Sequence, residues 1–75
     1  FNPSLNININ VYRHSFIKID IYSCNGDFIK TLVNRNIIPS VKSFQWNPGS
    51  LSSGIYFVRL VQGSNTQTHT ITLVK

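Results

Sequence analysis

Two carboxylates, two imidazoles and one thiol are the side chains that could do acid–base, metal or nucleophilic work in these 75 residues: Asp20, Asp27, His14, His69 and Cys24. General acid–base catalysis needs two such groups held at one reacting centre. Asp20 occupies a polar position in an alternating run and reads as part of a solvated strand face. Asp27 follows Asn25-Gly26 and reads as a turn exit. His14 falls in a break between two runs, and His69 falls inside another. No Ser sits in a nucleophile-elbow motif. Nothing near Cys24 supplies an oxyanion hole or an orienting partner, so Cys24 reads as a small turn residue. The five groups show no ligand spacing for zinc or calcium. One cysteine makes no internal disulfide. Gly26, Gly49, Gly54 and Gly63 are scattered at turns rather than gathered into a phosphate loop. The sequence therefore predicts no catalytic residue, no cofactor and no metal, and a protein that is not an enzyme.

Seven Lys and Arg against two Asp and no Glu give a formal charge of +5. A nucleic-acid binder would gather such cations into a stripe interleaved with aromatic rings. Arg13, Lys18, Lys30, Arg35, Lys42, Arg59 and Lys75 are instead spread about one per element, with no two adjacent. They read as isolated charges that keep sheet faces and edges soluble, with no nucleic-acid partner. No stretch reaches the length of a membrane-spanning helix. Residues 1–11 alternate in polarity and hold no signal-peptide core. An export signal, if present, would lie elsewhere in a longer precursor.

The elements that carry these residues are short strands. Leu5, Ile7, Ile9 and Val11 alternate with Asn6, Asn8 and Asn10, which predicts a half-buried strand after an Asn2-Pro3-Ser4 entry turn. Arg13-His14-Ser15 breaks the pattern. Ile17, Ile19 and Ile21 alternate with Lys18, Asp20 and Tyr22 in a second strand. Asn25-Gly26 then predicts a tight type I′ hairpin. Residues 27–33 form a third strand in which Phe28, Ile29, Leu32 and Val33 are apolar on both parities. That pattern means either a bulge or a strand covered on both faces. Residues 34–40 read as a connection closed by Pro39. Residues 41–46 form a fourth strand, with Phe44 and Trp46 as core anchors. Turn clusters follow at Asn47-Pro48-Gly49-Ser50 and Ser52-Ser53-Gly54. In the fifth strand, residues 55–62, Tyr56, Val58 and Leu60 share one side. Ile55, Phe57, Arg59 and Val61 share the other. Gln62-Gly63-Ser64-Asn65 turns the chain into a last strand, residues 66–75. There Ile71 and Leu73 point inward, and Thr68, Thr70 and Thr72 outward. Ala, Glu and Met are absent, which removes three strong helix formers. The fold class is all-β, an antiparallel sandwich in a single domain, residues 1–75.

Four segments together resemble the C-terminal sorting domain of the bacterial type IX secretion system. Phe1-Asn2-Pro3-Ser4 looks like the tail of that family's Pro-Asn-Pro-Phe-Asn-Pro-Ser opening, trimmed at its start. Ile19-Asp20-Ile21-Tyr22-Ser23-Cys24-Asn25-Gly26, continued by Phe28-Ile29-Lys30-Thr31-Leu32, is similar to its alternating strand, corner and Val-x-Thr-Leu run. Trp46 and Ser53-Gly54-Ile55-Tyr56-Phe57-Val58-Arg59-Leu60 match its Ser-Gly-Ile-Tyr-Phe-x-Arg-Leu segment. Gly63 and Ile71-Thr72-Leu73-Val74-Lys75 resemble its close. Ser23 stands where the family has an acidic or amide corner residue, and its hydroxyl can make a similar local bond. The same pattern is also similar to the Ig-like domain of flagellar hook-capping proteins.

The resemblance implies an immunoglobulin-like sandwich of about six or seven strands. It implies a non-catalytic address on a larger cargo, itself the N-terminal partner. The address would be read by the type IX translocon and its shuttle protein, and then acted on by a surface sortase. The product would be secreted or held on the outer-membrane surface of a Gram-negative bacterium of the Bacteroidota, reached through the periplasm. Tyr22, Trp46, Tyr56 and Leu60 are its core-motif residues, and Asn25, Gly26, Gly54 and Gly63 its turn residues. Thr70, Ile71, Thr72, Leu73, Val74 and Lys75 are the candidate recognition strand, because a last strand at a sheet edge offers backbone for strand addition. An ordinary paired strand is the alternative. Two rival functions stay open. One is a structural Ig-like module that self-assembles or acts as a spacer. The other is a surface adhesion module, which would need exposed aromatics in a row, with Tyr12, Phe16, Tyr22 and Phe28 as candidates.

Overall fold

The structure, a computed structural model, describes residues 4–74. The expected entry turn at Asn2-Pro3 and the recognition residue Lys75 lie outside the described residues. Period-two alternation builds six strands: β1 (Leu5–Val11), β2 (Ser15–Ser23), β3 (Phe28–Ile37), β4 (Ser40–Trp46), β5 (Gly54–Gln62) and β6 (Asn65–Leu73). They form two antiparallel sheets, a pair β1-β4 and a four-stranded sheet ordered β3-β2-β5-β6. The two sheets pack as the all-β, Ig-like sandwich that the sequence predicts.

β2 is the centre of the larger sheet, paired on both sides. Its inward residues Ile17, Ile19 and Ile21 are fully buried. Each such side chain contributes about 1.5–3 kcal/mol relative to an exposed one. Ile9 and Val11 from β1, Trp46 from β4, Tyr56 and Val58 from β5, and Leu73 from β6 close on them, with Leu60, Ile71 and Phe44 half-buried at the margin. Trp46 and Tyr56 meet edge to face, centroids 5.8 Å apart. The Tyr56 hydroxyl donates to the Ser52 carbonyl at 2.6 Å. This bond ties the β4–β5 connection, which carries the chain from one sheet to the other, to the core.

Of the two readings for the third strand, the structure chooses the bulge, and does so twice. The β2–β3 register slips between Ile19 and Asp20 and again between Ile21 and Tyr22. The residues left over on β3 are Leu32 and Ile29, the apolar residues on the unexpected parity, and both pack against the core. β3 is also longer than predicted. Asn34, Arg35 and Asn36 read as connection, yet they pair with Lys18, Ile17 and Phe16. An edge strand keeps its ladder on one side and stays wet on the other, so a polar run does not end it.

The type I′ expectation at Asn25-Gly26 is corrected. That turn needs positive φ at both central residues, and among the described residues only glycines have it. Gly26 N–H donates to the Ser23 carbonyl at 3.0 Å, and Ser23 N–H donates to the Asp27 carbonyl at 2.8 Å. Cys24 and Asn25 are therefore the central residues, and Gly26, at φ 88°, follows them as a bulge glycine. Ser23 Oγ accepts from Asn25 N–H at 3.3 Å and from Asp27 N–H at 3.2 Å. These local bonds select the three-residue loop. The second hairpin is tighter. Gln62 pairs with Asn65 across Gly63-Ser64, and Gly63 holds φ 59°, the glycine-first arrangement of a II′ turn.

Candidate recognition surfaces

β6 is an edge strand: β5 pairs with one side, and no strand pairs with the other among the described residues. Ile71 packs on the core and Leu73 is buried within it. Both fix the strand's facing. Thr66, Thr68, Thr70 and Thr72 then project from the outer face, opposite Val61, Arg59, Phe57 and Ile55 of β5. Residues 65–70 are exposed on both faces, because the two-stranded layer does not extend over the start of β6. The predicted strand Thr70, Ile71, Thr72, Leu73 is thus anchored at its end, and no further strand pairs with it beyond β5 among the described residues. Val74 follows it, exposed. Strand addition to a sheet edge is one way that proteins recognise an extended segment, with backbone hydrogen bonds as the common element.

The outer face of the large sheet carries a polar knot that the sequence did not reveal. Asp20, read as solvated, is only 4% exposed. Its carboxylate accepts from Thr31 Oγ1 at 2.6 Å and from the Tyr22 hydroxyl at 3.5 Å, and Lys18 Nζ lies 3.6 Å away. Arg59 stands opposite it on β5. On a central strand every direction but outward is already occupied, and the long neighbours close that one. The missed signal is positional: Asp20 lies midway along the one strand whose inward residues are all isoleucine.

Tyr22, named as a core-motif residue, sits on this outer face, half-buried, and not in the inter-sheet core. The bulges and strand parity place it beside Phe28 and Phe57 in register. The Tyr22 and Phe28 rings meet edge to face at 73°, centroids 6.0 Å apart. Crossed rings do not make the flat platform that a sugar ring would stack on. Tyr12 and Phe16 lie at the opposite end of the sandwich. They line an open cleft of about 710 Å³ between residues 12–16 and 62–65, together with Arg13 and His14. The row of four aromatics considered for adhesion is therefore split between two ends.

The remaining named residues separate in the same way. Gly54 opens β5 opposite Leu73 and is not a turn residue. Cys24 is exposed at the hairpin tip. His14 lines the cleft, while His69 sits on β6 with its Nε2 3.3 Å from Gln67 Oε1. Among the described residues no three of His, Cys, Asp or Glu gather where a metal ion could be held.

Comparison with known proteins adds one match. Residues 2–74 fit the family described as the secretion system C-terminal sorting domain. No curated protein and no solved structure matches the chain.

Proposed function

The chain belongs to the family of type IX secretion system C-terminal sorting domains, and from that premise we propose that it is the folded address of a larger secreted precursor, read through its last strand. The family match over residues 2–74 carries this reading. In it, the β6 edge accepts a strand from the type IX translocon or its shuttle, and Ile71 and Leu73 hold that edge in place from beneath. The cargo is then released or anchored at the cell surface by a sortase. The domain performs no chemistry of its own. It contributes a rigid edge whose ordering has already been paid for by folding, so binding loses little conformational entropy.

A reporter fused ahead of this domain tests the proposal. Export from a type IX-competent host is expected, with retention in a translocon-null strain. The double variant Thr68→Lys, Thr70→Lys places charges on the exposed edge, a substitution that blocks strand addition without touching Ile71 or Leu73. It is expected to retain the reporter while the domain stays folded. Retention of the unmodified fusion, or unchanged export of the double variant, would overturn the address or the β6 reading respectively.

A further inference from the structure

β1 has one unpaired edge among the described residues, and its chemistry differs from that of the edges at β3, β4 and β6. β3 is guarded by Lys30, Arg35 and two bulges, and β4 carries Lys42 just after Pro39. β1 pairs only with β4 among the described residues. Its seven residues, Leu5, Asn6, Ile7, Asn8, Ile9, Asn10 and Val11, include no charge, proline or glycine, and its register with β4 runs without a bulge. Such an edge carries no charge, proline or bulge to hold another strand off.

The order of those residues specifies the mate. Read from either end, β1 alternates aliphatic and Asn about a central Asn8. An antiparallel pair of two such strands, related by a two-fold axis through Asn8, sets like against like at every position. Leu5 meets the partner's Val11, Asn6 meets the partner's Asn10, Ile7 meets the partner's Ile9, and Asn8 meets the partner's Asn8. Isologous contacts require this self-complementarity. Asn satisfies it because its amide both donates and accepts, so it bonds to its own kind, as Lys or Asp cannot. Leu5 and Ile7, half-buried in the single chain, would gain apolar neighbours. β6 fails the same test: inverting it sets Asn65 against the partner's Leu73 and Gln67 against the partner's Ile71, polar against apolar.

We propose that two copies of this chain join by antiparallel pairing of their β1 strands about Asn8, turning the two-stranded layer into one four-stranded sheet. Each copy carries +5, and the paired strands carry none of it. Added salt therefore tightens the dimer by screening the rest.

Sedimentation of this 75-residue chain across a concentration series tests the idea. The expected result is a mass that doubles with concentration, at lower concentration in high salt. Asn8 is exposed, so Asn8→Lys leaves the monomer's circular dichroism and melting unchanged. It sets two charges face to face on the axis and lowers the association constant at least about tenfold. In a Cys24→Ser background with oxidised glutathione added, Asn8→Cys forms an intermolecular disulfide at the dyad by thiol–disulfide exchange, releasing two reduced glutathiones, because opposed Cβ atoms sit about 4.5–5.5 Å apart. A chain that stays monomeric at every concentration, a dimer indifferent to Asn8→Lys, or an Asn8→Cys dimer that does not cross-link would each overturn the proposal.

Discussion

At Asp20 a carboxylate is kept from water by its neighbours on a face that alternation marks as polar. Thr31 Oγ1 donates to it at 2.6 Å, and Lys18 shields its other oxygen. A buried acceptor that loses a donor keeps its desolvation cost. Thr31→Val is therefore expected to lower the unfolding free energy by about 1.5–3 kcal/mol, the range for bonds to charged groups. Urea titration of the variant against the parent measures it. At Gly63 the constraint is conformational. Nothing lies within 4 Å of where a Cβ would sit, but φ is 59° in the tight β5–β6 turn. Gly63→Val is expected to cost about 1–3 kcal/mol through backbone strain alone. The loss would appear as a lower urea midpoint with an unchanged slope.

Strands differ in how firmly they are held, and that difference separates scaffold from surface. β2 has partners on both sides and three fully buried isoleucines. β6 has one partner, and residues 65–70 are exposed. Local opening follows buried contacts and paired backbone. Amides of Ile17, Ile19 and Ile21 are expected to exchange with solvent most slowly, and those of Thr66 and Gln67 among the fastest of the strand residues. Hydrogen exchange read by NMR checks the order, and protection of β6 equal to β2 would contradict it. β3 shows what alternation hides at this scale. Its polar stretch, Asn34-Arg35-Asn36, looks like a loop because an edge strand's exposed residues need no apolar alternation. Its bulges scramble parity, because each inserts one residue and exchanges inward for outward.

A sandwich of this size has one core, and both sheets depend on it. Trp46 reaches from the small sheet to Tyr56 of the large one, so it joins layers that share no ladder. Trp46→Ala is expected to cost about 3–5 kcal/mol. A small domain's whole stability is about 5–15 kcal/mol. A melt of the variant should therefore show a transition lowered by many degrees or lost, with β1 and β4 no more persistent than the rest. Retention of the parent's melting temperature would show that the layers hold together without it.

The sequence by itself determined the all-β class, five of the six strands to within a few residues, and the inward faces of β1, β2, β4 and β6. It also carried the family, since motifs at Ile19 to Gly26, Ser53 to Leu60 and Ile71 to Val74 survive in linear order. Period two is a local property, and a side chain's face follows from its parity with no knowledge of the partner strand. Tertiary structure alone decided the sheet order, the burial of Asp20 and the full length of β3. It also decided which strands end a sheet: β1, β3, β4 and β6. Each of these depends on which strand lies alongside, and strands adjacent in the sheet, such as β2 and β5, are far apart in sequence. Alternation fixes which way a residue points, whereas only the assembled neighbours fix what it meets there.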